Sequence, residues 1–272
     1  MQQQQPLVIN GTEVWVEGEG PATVVMIHGW PDTHRLWDGQ VAALKSSHRC
    51  VRFTLPGFDV TQPRKAYSLA ALLATFDAII NQVSPGQPVT LMVHDWGAVF
   101  GYQYVMAHPE RVARLIGVDI GDANSPEHAR SLGLKAKLMV FAYQAWLALA
   151  WVLRGKLGDR MSRAMAKAMR CQADPALINC NMNYPYFIQW TGAYGSYRNL
   201  LPIKPKCPML FLYGTKKPFM FHSEEWLTWL RKQPGSAVHA VKAGHWVMVN
   251  QPEQFNQLVV AWLLRAGNVG GS

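Results

Sequence analysis

With 272 residues, 49% of them apolar and only 16% charged, the chain is long enough to bury a full core and too poor in charge to be a disordered polymer. Its length suits one α/β domain with an inserted subdomain better than two independent domains. The net charge of +9 is local, since twelve Lys/Arg stand against Asp159 and Asp174 between positions 128 and 206, and no helix-turn-helix, zinc-finger or RNP string accompanies them. A solvated basic face is therefore expected there, and nucleic acid is not an expected partner.

Taken in chain order, short apolar, β-branched runs alternate with helical patterns, which predicts βα units around a mostly parallel sheet. Strands are expected at 13–16, 23–28, 50–55, 89–94, 115–120, 209–214 and 237–241. Between 120 and 209 no convincing strand occurs and the basic surplus accumulates, so an inserted helical cap is read at 124–204, with 1–123 and 205–272 as one core domain. Inside the cap, residues 138–153 (LMVFAYQAWLALAWVL) contain one strongly polar side chain, Gln144. This run falls short of the roughly 20 residues that a membrane span needs, so a buried cap helix lining a pocket is expected in place of a stable span or an interfacial helix. The opening glutamines and the terminal GNVGGS are expected to be loose.

Cys50, Cys171, Cys180 and Cys207 form no CxxC pair and no disulfide-dense pattern, which fits a reducing compartment. MQQQQPLVIN lacks a basic segment followed by an apolar one, so a cytoplasmic location is expected. There is no HExxH, no metal-spaced His/Cys set, no P-loop and no GxGxxG after a strand, so no cofactor or metal is expected. Composition leaves a homodimer open.

Three short strings carry the chemistry. VTLMVHDWG, 89–97, is an apolar strand, a polar residue at a sharp turn and a small residue opening a helix, the layout of a nucleophile elbow with Asp95 at its tip. A carboxylate placed there attacks carbon and forms an alkyl ester on the enzyme. An aspartate after a strand more commonly caps the helix that follows. Upstream, MIHGWP, 26–31, ends a strand in a glycine turn suited to presenting backbone N–H groups to a developing anion. Downstream, AGHW, 243–246, places His245 on a loop at the same sheet edge.

On HGWP, VHDWGA and GHW the sequence resembles the α/β-hydrolase superfamily in its aspartate-nucleophile branch: epoxide hydrolases, haloalkane dehalogenases and haloacetate dehalogenases. The resemblance runs over nearly the whole chain. It implies Asp95 as nucleophile, His245 as the base that activates water, and the backbone N–H groups of Trp30 and Trp96 as the oxyanion hole. It also implies an acid that orients the histidine. The loop after 209–214 reads YGTKKPF and holds Lys217 where one part of the family carries that acid. The other family location falls on Asp119, with Asp122 in reserve.

The two reactions differ at the leaving group: a halide needs N–H donors, an epoxide oxygen needs an acid. The valine two before Asp95, the acid at Asp119 and the indoles of Trp30 and Trp96 favour a dehalogenase, although haloalkane enzymes usually carry Asn where Trp30 stands. Tyr143-Gln144 and Tyr197-Arg198-Asn199 resemble the strings that carry the two cap tyrosines of epoxide hydrolases, and HGWP leans the same way. Gln144 and Trp146 are candidate substrate contacts. The expectation is an epoxide hydrolase acting on a small to medium apolar epoxide, with a dehalogenase as the alternative. A ligand-binding protein is the reading if Lys217 breaks the relay.

Overall fold

The computed structural model describes residues 5–197 and 199–265. Glutamines 2–4, Arg198 and the terminal GNVGGS therefore lie outside the described residues. Strands β1 (Leu7–Ile9) and β2 (Thr12–Glu17) open the chain, followed by β3 (Ala22–Ile27), α1 (Asp38–Leu44), β4 (His48–Phe53), α2 (Leu69–Val83), β5 (Val89–His94), α3 (Trp96–Ala107) and β6 (Val112–Val118). Between β6 and the next strand come α4 (Pro126–Ser131), α5 (Leu134–Leu153), α6 (Gly155–Ala168) and α7 (Tyr184–Thr191), with no strand among the described residues. The chain closes with β7 (Met209–Gly214), α8 (Glu224–Arg231), β8 (Ala237–Val241), α9 (Val247–Asn250) and α10 (Pro252–Arg265).

The strands form one sheet in the order β1-β2-β4-β3-β5-β6-β7-β8, parallel except for the antiparallel pairs that β2 makes with β1 and β4. Both faces of its centre are buried, and strand alternation divides the core accordingly. Val25 and Ile27 of β3 and Leu91 and Val93 of β5 join Phe76 and Phe100 in one apolar cluster. Val24, Met26 and Met92 join Val41, Phe255 and Val259 in the other.

Three departures from the sequence expectation have physical causes. β1, unanticipated, pairs with β2 through Asn10 and Gly11, both at positive φ (49° and 77°), the two-residue turn that an Asn-Gly pair favours. β6 starts at Val112 and stops at Val118, earlier than expected, because Asp119 adopts φ 66° and turns the chain out of the sheet. The apolar run 138–153 lines the cavity as expected but is buried on one side only. It belongs to α5, and its Leu138, Phe141, Leu149 and Val152 are about half exposed, since α6 and α7 pack on α5 and leave its far side without a neighbour.

Around the end of β5, glycines let two chain segments approach closely. A Cβ at Gly97 would sit 2.2 Å from the carbonyl oxygen of His28, and one at Gly29 would sit 2.3 Å from Asp95 Oδ1. The obstacle at Gly97 is backbone and cannot rotate away. Gly97→Ala is expected to lower stability by about 2 kcal/mol or more, measured by denaturant unfolding; wild-type stability would show that the β3 and β5 turns can separate at no cost.

Candidate active site

Asp95 leaves β5 with φ 52° and ψ −128° and makes no side-chain cap on α3, so the carboxylate is not spent on the helix it precedes. Aspartate is among the few side chains that tolerate positive φ. The tight packing of Gly29 and Gly97 holds it there. Its Oδ1 accepts the backbone N–H of Trp30 at 2.6 Å, and the Trp96 N–H helps to hold its charge. Both N–H groups read from the sequence thus act on this carboxylate.

On the other side, His245 Nε2 lies 3.4 Å from Asp95 Oδ2, while His245 Nδ1–H donates to Asp119 Oδ2 at 2.5 Å. Asp119 is fully buried, and its Oδ1 accepts the Gly214 N–H at 2.9 Å and the Lys217 ammonium. Lys217 is therefore paired with the carboxylate that holds His245. Asp122 does not approach His245; it accepts from Ser223 N–H and Oγ–H, both at 2.7 Å, and from the Ser125 hydroxyl at 2.6 Å, tying the start of the insertion to the loop before α8.

These contacts set the charges. Burial disfavours the Asp119 anion, but Lys217 and then His245 outweigh it and hold the carboxyl well below the usual range. Burial likewise works against Asp95, yet His245, His94 and the Trp96 N–H leave it lowered. Burial would lower His245, whereas the two carboxylates push it up to about 9. At neutral pH the resting site therefore holds a carboxylate beside an imidazolium.

A second row of residues, which the sequence reading passed over, fixes this geometry. His94 lies against His245 with ring centroids 4.4 Å apart and hydrogen-bonds the His245 carbonyl through Nε2 at 3.2 Å. Burial and the His245 charge push it down to about 3, so it is neutral. Buried Asp32 accepts the Trp246 indole N–H at 2.8 Å, and burial pushes it up to about 7 against that bond. Both residues adjoin the motifs, which is the signal that could have found them.

A cavity of about 1030 Å³ opens over Asp95 and His245, walled by Tyr143 and Trp146 of α5, Tyr186 of α7, and Phe221. A second, of about 340 Å³, shares Asp95, Tyr143, Tyr186 and Phe221 and adds Gln144. Burial raises Tyr143 and Tyr186, so both keep their protons. Gln144 donates to the Tyr143 hydroxyl at 3.2 Å, and Trp146 donates its indole N–H to the Met161 carbonyl at 3.0 Å. Tyr197 lines neither cavity. Positive φ at Tyr194 and Ser196 turns the chain so that its ring packs on Trp96 and Phe100, and its hydroxyl is buried without a partner among the described residues. Tyr186, given no role from the sequence, is the second tyrosine at the cavity wall.

The Trp30 indole is not free to meet a halide. It donates to Asn183 Oδ1 at 2.7 Å, and Asn183 in turn donates to the Ser162 hydroxyl at 2.7 Å. Among the described residues no set of His, Cys, Asp or Glu could hold a metal ion.

A family profile described as alpha/beta hydrolase fold matches residues 22–252. The chain belongs to that family. It is 23% identical over 295 residues to bifunctional epoxide hydrolase 2 of Rattus norvegicus, covering 90% of this chain and 52% of that protein. It is 44% identical over 97 residues to a probable oxidoreductase, EphD, of Mycobacterium tuberculosis, covering 34% of this chain and 16% of that one. The chain thus spans about half, or less, of the length of these relatives. A crystal structure of a mutant epoxide hydrolase from Bacillus megaterium with its diol product superposes with a TM-score of 0.73 at 20% identity, covering 95% of this chain and 99% of that one.

Lys217→Met removes a cation that competes with His245 for Asp119, so the His245 titration, followed by NMR of the imidazole, is expected to move upward from about 9. An unchanged or lowered value would mean that Lys217 does not act on the relay. The raised value also fixes a stability trend: the contribution of His245 is complete below its ordinary 6.5 and is lost as pH rises through about 9. Unfolding of the wild type against His245→Gln across that interval is expected to show the wild type losing its advantage toward high pH.

Proposed function

We propose that the protein is an epoxide hydrolase. Asp95 Oδ2 attacks an epoxide carbon, the carbon–oxygen bond breaks, and the electron pair passes to the oxygen, which takes a proton from a tyrosine hydroxyl. Tyr143 supplies one O–H. For the second, Tyr197 has the sequence context and a hydroxyl without a partner, while Tyr186 already stands at the cavity wall. Water then loses a proton to His245 Nε2 and attacks the ester carbonyl carbon. The charge that develops on Oδ1 meets the Trp30 N–H, with the Trp96 N–H on the same carboxylate, and collapse, with a proton passing from the added hydroxyl to the departing oxygen, releases a vicinal diol and restores the Asp95 carboxylate.

Electrostatics orders the two steps. In the resting site both carboxylates keep His245 protonated. Alkylation removes the Asp95 charge and with it one cause of that elevation, so His245 passes its proton, by way of water, to the phenolate left by ring opening and then serves as a base when an ester is there to hydrolyse.

The observation that carries the leaving-group assignment is the commitment of the Trp30 indole to Asn183, which leaves a halide one indole fewer, while protonated tyrosines line the cavity above Asp95. The names of relatives support the same reading: the rat protein and one from Neurospora crassa, 40% identical over 96 residues, are epoxide hydrolases by name. The oxidoreductase name is not carried over, because the match spans so little of that protein. The Lys217–Asp119 pair speaks against a broken relay and hence against a purely ligand-binding protein.

In this reading residues 124–204 cap a core of 1–123 and 205–272, and the substrate is apolar near its reacting carbon. Arg170, Lys216 and Lys242 also line the larger cavity and have no acid partner among the described residues, so an anionic substituent remote from the epoxide fits as well. The cysteines, unpaired, suit a reducing, cytoplasmic setting.

His245→Gln exposed to epoxide is expected to gain one substrate mass on the peptide containing Asp95; intact mass without that gain counts against nucleophilic attack. Parallel assays for diol and halide on epoxides and haloalkanes test the leaving group, and halide release without diol would transfer the assignment to a dehalogenase. Tyr143→Phe is expected to cost about 10²-fold or more in ester formation. Between Tyr186→Phe and Tyr197→Phe, the larger loss in that same half-reaction identifies the second donor.

A further inference from the structure

Helix α5 is apolar on every side, a pattern that ordinarily belongs to a helix surrounded by protein or lipid. Its inner stripe, including Tyr143, Leu147, Ala150 and Trp151, is covered by α6, α7 and the chain before α7. Its outer stripe, Leu134, Leu138, Phe141, Leu149 and Val152, keeps the same helical spacing and remains between 48% and 74% exposed. Single exposed apolar side chains need no explanation, but a row running the length of a helix about 30 Å long does. Trp190 of α7 extends the patch, its ring edge-on to Phe141 at 5.2 Å and 44% exposed.

Charge surrounds this row with one sign. Lys135 and Lys137 lie in the first turn of α5, and Arg154 and Lys156 follow its last residue. On α6, packed against it, Lys156, Arg160, Arg163 and Lys167 recur at helical spacing, all exposed. None of these has an acid partner among the described residues. The two acids of the region are engaged with backbone: Asp159 accepts the Cys180 N–H and Asp174 the Ala176 N–H.

We propose that this face of the insertion docks on an anionic lipid surface, with α5 lying in the plane of the interface. An apolar row set between cations is the arrangement that buries side chains at the acyl boundary while lysines and arginines meet lipid phosphates. A second copy of the chain fits worse, since it would bring two positive faces together. Nucleic acid would meet the charges and leave the leucines and Phe141 unmatched. Because α5 is held on its inner side by α6 and α7, it lies on the membrane without crossing it. Met139 and Trp146, beside the outer stripe, also line the large cavity, so docking puts the cavity wall at the lipid boundary. The proposal does not depend on which bond the enzyme breaks.

The test is flotation of the purified full chain with vesicles of phosphatidylcholine alone or mixed with phosphatidylglycerol. The chain is expected to float with the mixed vesicles, weakly with phosphatidylcholine, and less as salt rises. Leu138→Glu with Leu149→Glu, neither of which lines a cavity, is expected to weaken partitioning at least about tenfold. Lys156→Glu with Arg160→Glu, a surface pair that leaves the apolar row intact, is expected to remove the preference for phosphatidylglycerol. No flotation, or flotation indifferent to the second pair, would overturn the proposal. So would a dimer in sedimentation that Leu138→Glu with Leu149→Glu dissolves, or duplex DNA binding lost with the basic pair while vesicles are ignored.

Discussion

The site rests on the charge of Asp119, a carboxylate with no exposed surface at all. An isolated ion so placed would cost several kcal/mol in lost hydration. Here each of its oxygens faces a cation, Lys217 on Oδ1 and His245 on Oδ2, with the Gly214 N–H as a further donor. The three side chains come from the loops after β6, β7 and β8, so one buried anion ties three successive loops to the same edge of the sheet. Removing any partner strands the others: without Lys217 the carboxylate leans wholly on the imidazole, and without Asp119 both cations lose their reason to be there.

Behind that ion cluster the protein uses uncharged or weakly ionised groups where charge would do harm. His94 stays neutral although it lies against an imidazolium, and so supports the His245 carbonyl without repelling the ring. Tyr102 donates to the Ile120 carbonyl at 2.5 Å just past the turn at Asp119, and Asp32 holds Trp246, the residue after the histidine. Each of these contacts restrains backbone next to a functional side chain. The candidate catalytic groups therefore owe their positions to loops pinned from below by buried hydrogen bonds.

Much of this could be read from residue types. Alternating apolar runs mark a sheet buried on both faces, and HGWP, VHDWG and AGHW mark the turns at which Trp30, Asp95 and His245 meet. What could not be read depended on neighbours distant in sequence. Lys217 looked like a missing acid because its partner, Asp119, lies 98 positions away. The Trp30 indole looked available until Asn183 was placed beside it, and nothing in the sequence singled out Tyr186, which α7 brings to the cavity that holds Asp95. The apolar run of α5 has the composition of a core helix, and composition alone does not say that only one of its sides finds company. The short strand β1 was legible in Asn10-Gly11 and was missed because the segment before it is glutamine-rich.

Asp95, His245, Asp119, Lys217 and the two backbone donors all stand outside residues 124–204. That stretch contributes walls, tyrosine hydroxyls and the outward face of α5. The candidate nucleophile and the ion cluster behind it are thus carried on other pieces of chain than the tyrosines and walls above them. On the proposed reading, exchange of the whole inserted stretch would alter together what is admitted, the acid that meets the leaving oxygen and the face offered to lipid, while Asp95, His245 and Asp119 kept their places.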